Sequence, residues 1–366
     1  MAHMDIGPLK VITQNFTDEL QKSLSTKTSL PFIRHSLSTK AIVSDNQKFQ
    51  VIVIGGSFYQ KAIMVREKDN IRIVSNEQGK QPPFLTESGL LEFIKLHLEP
   101  DIDILALNFA YPLIPVTRDD LLDGALQSGS KENTFVGLIG KKVGETIEKY
   151  IHEKQGRVIK VSAANDTICL LLSGLALQIG ELVSLPWDHL AAGVVGTGLN
   201  FAIFLDRYTA VNLESANFNK FPQTEAGKII DQLSVSPGSA LYEKEVSGAY
   251  IYEHFNYVAK HLQLNVNGIK NTKELDELVT NKDPEVAKVA KDVLEHSSSL
   301  VAAQIAGLLR FCKRDLTFIM QGSLFWKGYM FKEIVEKIVN ELCPEYRAKF
   351  VQVPHSDLYG AAKLVA

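Results

Sequence analysis

Asp166 ends an apolar strand and stands between Asn165 and Thr167, and about thirty residues later comes Gly196-Thr197-Gly198-Leu199-Asn200. A carboxylate at the end of a strand is placed for proton transfer. A glycine turn lets backbone N–H groups approach phosphate oxygens with no Cβ in the way, and a small hydroxyl residue adds a donor. Together they point to phosphoryl transfer onto a hydroxyl. Each half also has a plain alternative. A lone strand-end Asp is usually an N-cap for the next helix, and most glycine turns simply turn.

A second turn of the same kind, Gly55-Gly56-Ser57, lies earlier in the chain. Glu214 follows a strand-like stretch and Glu243 lies in Leu241-Tyr242-Glu243-Lys244; both could be solvated charges or acceptors for sugar hydroxyls. Ser130-Lys131 sits among Gly129, Asn133 and Gly137, a loop composition in which a surface lysine is the ordinary explanation. The nine histidines show no metal-ligand spacing, so zinc chemistry has no support.

These residues need elements to hold them. Apolar spacing at Leu9, Ile12, Phe16, Leu20 and Leu24 gives an amphipathic helix over 9–24. Runs at 50–54, 61–65 and 70–74 read as an antiparallel meander, and 103–109 as a further strand. A helix over 141–153, a strand over 158–163 and a helix over 168–179 follow. Strands at 190–195, 201–206 and 208–213 surround the second glycine turn, and a helix runs over 251–262. Asp283-Pro284 is an N-cap followed by proline at the first helical position, opening a helix to about residue 310. A strand at 316–320, a helix at 331–342 and a strand at 350–353 close the chain. Strand, glycine turn, strand occurs at Val51–Val65 and again at Ala191–Asp206. That repeat implies two related halves, with a boundary near residue 165.

The chain has 366 residues, 45% of them apolar, and a net charge of −3. That is enough for two domains with real cores, and no bulk charge favours nucleic acid or a lipid surface. Three cysteines, Cys169, Cys312 and Cys343, form no C-x-x-C and no disulfide framework. The longest apolar stretch, Ile168–Leu185, is interrupted by Gln178 and Glu181, so no membrane span is expected. No signal-peptide pattern opens the chain, Met1-Ala2-His3-Met4 reads as an expression remnant, and a cytoplasmic setting is expected. Nothing in the residues selects an oligomeric state.

Taken in order, these motifs resemble the hexokinase family over nearly the whole chain. Asp18-Glu19-Leu20 through Ser29-Leu30-Pro31-Phe32 is similar to the family's N-terminal helix and Leu-Pro segment. Val51–Tyr59 resembles its first phosphate hairpin, Phe109-Ala110-Tyr111-Pro112 its Phe-Ser-Phe-Pro, and Ser130-Lys131 its Thr-Lys. Asn165-Asp166-Thr167 and Gly196-Thr197-Gly198-Leu199-Asn200 match the family patterns. Asn212-Leu213-Glu214 resembles Asn-Met-Glu. The stretch from Thr224-Glu225 through Asp231, Ser234, Pro237-Gly238 and Tyr242-Glu243-Lys244 to Ser247-Gly248 follows the family in register. Gly322-Ser323-Leu324 resembles the adenosine-side turn, and Gly360-Ala361-Ala362 the start of the last helix.

The resemblance implies an α/β actin-like sugar-kinase fold, with two domains flanking a cleft. The N-terminal helix and connector would take residues 1–48, a small domain 49–164, a large domain 165–354 and a C-terminal helix 355–366. It implies a small-molecule sugar, ATP as phosphoryl donor and Mg²⁺ carried with the nucleotide. Asp166 would be the base, with Lys131 assisting. Ser130, Lys131, Asn165, Asp166, Asn200, Glu214 and Glu243 would bind the sugar. Gly55, Gly56, Ser57, Gly196, Thr197, Gly198, Gly322 and Ser323 would face the nucleotide.

The departures gather on the phosphate side. The family's first hairpin has an Asp that helps hold Mg²⁺–ATP through water; here that position is Val53. The family's Asn and Arg are Phe58 and Gln60, and the Asp before the late Gly-Ser turn is Gln321. The sugar-side changes are mild, Ala110 and Ser130. Two readings follow: a working hexose kinase, or a sugar-binding, catalytically weak relative with a regulatory or sensing role.

Overall fold

The computed structural model describes residues 5–38, 40–55, 58–68, 70–129, 133–176 and 185–366. In chain order the elements are α1 (Ile6–Ser23), β1 (Ile33–Ser36), β2 (Lys48–Ile54), β3 (Phe58–Glu67), β4 (Asn70–Lys80), α2 (Glu87–His97), β5 (Ile104–Phe109), β6 (Leu113–Arg118), β7 (Leu121–Leu126), α3 (Val143–Gln155), β8 (Lys160–Ala164) and α4 (Asp166–Ala176). Then come β9 (Leu190–Val195), β10 (Leu199–Asp206), β11 (Thr209–Asn212), α5 (Glu225–Leu233), α6 (Leu241–Val246), α7 (Ile251–His261), α8 (Thr272–Glu277), α9 (Pro284–Cys312), β12 (Leu316–Gln321), α10 (Ser323–Lys327), α11 (Phe331–Leu342), β13 (Ala348–Val351) and α12 (Ser356–Ala362).

The internal repeat expected from the glycine turns is present as topology. One sheet runs β4-β3-β2-β5-β8, and the other, after an extra edge strand β1, runs β11-β10-β9-β12-β13. In each, the order is third, second, first, fourth, fifth. The chain forms two compact units from non-contiguous segments: Met1–Phe32, Gly193–Phe201 and Leu213–Gln352 in one, and Ile33–Ala192, Ala202–Asn212 and Val353–Ala366 in the other.

In the second unit, β3 pairs antiparallel with β2 and β4, while β2, β5 and β8 are parallel. β5 is buried at all six positions, as expected of a parallel strand covered on both faces. One face carries Ile52, Ile54, Leu107, Phe109, Val161 and Ala163, packed in one core with Leu90 and Ile94 of α2 and Ile147 and Ile151 of α3. Strand alternation sends Val53, Asn108 and Ala164, register partners across the three strands, to the opposite face. There α12 packs on β2 and β5, and α4 on β5. The β6–β7 hairpin carries no turn dipeptide strong enough to be legible in advance, its connection being Asp119-Asp120, both at positive φ.

In the first unit, α1 lies on α9. Leu9, Ile12, Phe16 and Leu20 are buried as their spacing predicts, but the helix ends at Ser23 and Leu24 is left exposed. Gly307 allows the approach, since a Cβ there would come within 2.8 Å of the Phe16 ring. α9 begins as expected. The Asp283 side chain accepts from the N–H of Glu285 at 2.9 Å and of Val286 at 3.5 Å. Asp283→Ala is expected to cost about 1 kcal/mol through the lost cap; chemical denaturation reads it as a lower midpoint with an unchanged slope.

Candidate active site

Asp166 is the first residue of α4, not the last of the preceding strand, and the residue that caps this helix is Asn165. The Asn165 main-chain oxygen accepts from Cys169 N–H at 3.0 Å, and its Oδ1 accepts from Thr167 N–H at 3.0 Å. Asn165 is buried, and its orientation is set twice more. Its Oδ1 accepts from Asn212 Nδ2 at 3.3 Å, and its own Nδ2 donates to the Tyr111 carbonyl at 3.5 Å. With the cap supplied by Asn165, the half-buried Asp166 carboxylate is not needed for that role. It still accepts from Thr167, from the N–H at 2.7 Å and the hydroxyl at 3.3 Å.

Burial raises the pKa of Asp166 above the ordinary carboxylate value; the Thr167 N–H works against this, and the negative charge of Asp357 adds to it. A raised proton affinity suits a base. It also marks a site whose charge is held at some cost to the fold.

In the other unit, the turn between β9 and β10 is closed by Gly196 N–H donating to Gly198 O at 3.0 Å. Its outer carbonyls are tied down: Gly196 O accepts from Gly248 N–H at 2.7 Å and Thr197 O from Ala249 N–H at 3.3 Å. Thr197 is exposed at the tip. Against this turn lies Gly322, at φ 114°, where a Cβ would collide with the Val195 carbonyl oxygen and come within 2.8 Å of Gly196 N. The two glycine segments therefore meet backbone to backbone, with the exposed Ser323 beside them.

The same unit gathers Asn200, Glu214 and Glu243. Asn200 Oδ1 accepts from Phe201 N–H at 2.8 Å and Ser215 N–H at 3.3 Å. Glu243 accepts from Leu199 N–H at 2.9 Å, and a Cβ on Gly198 would stand 3.0 Å from its carboxylate. Burial raises the pKa of Glu243, the Leu199 bond opposes that, and the charge of Glu214 raises it further. Glu214 itself sits at φ 50°, a left-handed conformation that turns the chain out of β11. Two carboxylate acceptors near enough to interact are well matched to hydroxyl donors.

Neighbours of Glu243 pin α6. Lys244 is buried, with Nζ 2.5 Å from Asp231 and 2.9 Å from Ser236 O. Glu245 is buried too, accepting from Thr224 N–H at 2.8 Å, with His296 at 3.5 Å. Nothing in the residue pattern distinguished Glu245 from an exposed helix acid.

The sequence matches the hexokinase family model over residues 191–283 and 258–366. Hexokinase-1 of Arabidopsis thaliana is 25% identical over 402 aligned residues, covering 87% of this chain and 79% of that protein. A hexokinase of Schistosoma mansoni complexed with glucose superposes with a TM-score of 0.75 at 18% identity, covering 99% of this chain and 95% of that one. A ROK family glucokinase of Streptomyces griseus in complex with glucose and AMPPNP gives 0.51 at 16% identity, covering 87% and 98%.

The chain belongs to the hexokinase family. Its fold is the actin-like fold of those sugar kinases. The family model stops short of residue 191, so the half that it leaves unmatched contains the first hairpin and its departures from the hexokinase pattern. Val53 is 8% exposed, in mid-sheet, and offers no oxygen. Gly55 is present, its carbonyl accepting from Tyr111 Oη at 2.8 Å and Gln81 Nε2 at 2.9 Å. Gly56, Ser57, Ser130 and Lys131 lie outside the described residues. Among the described residues, no group of three or more His, Cys, Asp or Glu is arranged to hold a metal, and no helix is long and apolar enough to cross a membrane.

Sequence reasoning did not single out Asn108 or Asp357, which meet beside this site. Asn108 is 1% exposed, its Nδ2 donates to the Asp357 main-chain oxygen at 3.3 Å, and its Oδ1 has no partner. That oxygen is closed off from solvent, so the water shell of a hydrated cation does not reach it in this arrangement. Within its own unit the Gly196–Gly322 backbone approach fits a nucleotide, while the Val53 side chain gives a metal no oxygen.

Proposed function

We propose that this protein phosphorylates a hexose, glucose foremost, at the 6-hydroxyl with ATP as donor. The observation that carries the reading is Asp166, a half-buried carboxylate of raised proton affinity at the start of α4, where Asn165 shares the Thr167 N–H with it. In this reading Asp166 takes the proton of the attacking hydroxyl. Asn165, Asn200, Glu214 and Glu243, with Ser130 and Lys131, orient the sugar by accepting from and donating to its hydroxyls. The backbone of Gly196-Thr197-Gly198 and Gly322-Ser323, with Gly55-Gly56-Ser57, receives the nucleotide. Magnesium, when bound, neutralises phosphate charge, and most of the rate in such reactions comes from positioning and that neutralisation.

A second reading has its own observation. Val53 and Gln321 stand where the hexokinase pattern has acids, which favours a sugar-binding relative of weak turnover in a regulatory or sensing role. A coupled ADP-release assay with glucose, ATP and Mg²⁺ decides, run beside calorimetry with glucose. Glucose-dependent ADP release is the expected result. Clear glucose binding without it rejects the kinase and leaves the sensor.

A further inference from the structure

The parallel ladder of β2 and β5 runs out at Ile54, whose carbonyl accepts from Ala110 N–H at 3.0 Å. The next carbonyl, that of Gly55, is received by side chains. Tyr111 Oη donates to it at 2.8 Å and Gln81 Nε2 at 2.9 Å, and the same Gln81 nitrogen lies 3.4 Å from Tyr111 Oη. Both side chains are buried. The Tyr111 ring is held by Phe109, 4.8 Å away between centroids, and edge-on by Phe135 at 4.7 Å, which fixes where its hydroxyl lies. The Tyr111 main-chain oxygen accepts from Asn165 Nδ2 at 3.5 Å. One residue thus joins Asn165, beside Asp166, to the first glycine of the Gly55-Gly56-Ser57 segment, and all of these residues belong to one compact unit.

The hydroxyl departs from the hexokinase pattern, whose Phe-Ser-Phe-Pro has phenylalanine at position 111. The pattern also has Asp, Asn and Arg where this chain has Val53, Phe58 and Gln60, so the connection after β2 lacks those polar side chains. A segment opening on two glycines loses much freedom when it orders. A ligand that must itself supply that order binds more weakly than one that finds it in place. Two donors on the Gly55 carbonyl fix the chain as it leaves β2, before any ligand arrives. We propose, on the sugar-kinase reading above, that Tyr111 with Gln81 is a positioning pair for the nucleotide, holding the entry to Gly55-Gly56-Ser57 where the phosphates are received. A pair that merely satisfied a carbonyl would support the fold and be indifferent to which ligand is bound.

The test compares wild type with Tyr111→Phe, Gln81→Met and the double variant. Calorimetry reads the affinity for Mg²⁺–AMPPNP and, separately, for glucose; thermal melting reads the fold; hydrogen–deuterium exchange reads the order of the free segment 51–60. Tyr111→Phe keeps the ring and the main-chain oxygen that Asn165 uses, and removes the hydroxyl alone. It is expected to weaken AMPPNP about 3- to 10-fold, the span of one lost hydrogen bond, and to leave glucose affinity within about twofold of wild type. Exchange in the segment should quicken. Because the two side chains share one acceptor, each single variant leaves the carbonyl a donor, and the double variant should lose more than the product of the single losses. Unchanged AMPPNP affinity in the double variant overturns the proposal. So does an equal fall in AMPPNP and glucose affinity with a lowered melting temperature, the mark of a purely structural pair. The two readings fail separately. Wild type that binds AMPPNP without releasing ADP, with binding weakened in the variants, rejects the kinase and keeps the positioning pair. Turnover with undiminished AMPPNP affinity in the double variant does the reverse, and a wild type that binds no AMPPNP rejects both.

Discussion

Asp166→Asn lowers kcat with glucose by roughly 10²- to 10⁴-fold, the span expected for loss of a positioned general base. The amide keeps the shape and a hydrogen-bonding oxygen, so glucose affinity by calorimetry changes far less than kcat. The pH profile adds a second signature. Burial and the charge of Asp357 raise the pKa of Asp166, so kcat/KM in the wild type falls on acidification at a pH above the ordinary Asp value of about 3.9. Stability moves the other way. A carboxylate whose folded pKa is raised costs stability at every pH above that value, because the fold disfavours its charged form. Asp166→Asn removes that cost, while Asn165 still accepts from Thr167 N–H and holds the helix start. Its melting temperature at neutral pH should therefore equal or exceed that of wild type. A variant keeping more than a tenth of wild-type kcat would remove Asp166 from the base role.

Gly322→Ala is expected to be the most damaging single methyl group in the first unit. At φ 114° an L side chain is strained, and its Cβ would collide with the Val195 carbonyl oxygen and crowd Gly196 N. Backbone strain of this kind costs on the order of 1–3 kcal/mol, and overpacking a tight contact adds about as much. Neither neighbour yields easily, since both are main-chain atoms of β9 and its turn. The unfolding midpoint should fall by several degrees, and AMPPNP affinity should fall with it as the two glycine segments are forced apart. Gly238→Ala is the control: its φ is also positive, at 82°, but a Cβ there meets nothing within 4 Å. A Gly322→Ala protein as stable as Gly238→Ala, with full nucleotide affinity, would show that the close approach is unimportant.

The elements legible in the sequence are those whose signals are local. Asp283-Pro284 marks the start of α9 because capping and proline's fixed φ act within one turn. The spacing of Leu9, Ile12, Phe16 and Leu20 marks the buried face of α1. The two glycine turns mark the repeat, because a hairpin needs only a few residues. The extra edge strand β1 and the β6–β7 hairpin carry weaker marks, since the partner of β1 lies far along the chain and the hairpin turns on Asp119-Asp120.

The opening pair, Asp166 and the Gly196 turn, draws the same distinction. The sequence alone determined that a carboxylate follows an apolar strand, that glycine turns repeat, that the motif order is that of hexokinases, and that Val53 lacks the family acid. It could not decide whether Asp166 caps its helix, because both Asn165 and Asp166 are competent caps and only the backbone path selects one. Tertiary structure selected Asn165, buried it with Asn212 and Tyr111, and left Asp166 with raised proton affinity. It also brought Asp357, nearly two hundred positions away in sequence, to the strand ends beside Asn108. No local pattern encodes that meeting, since it arises from helix packing at Gly360 and Cys169, a contact defined by shape rather than by spacing.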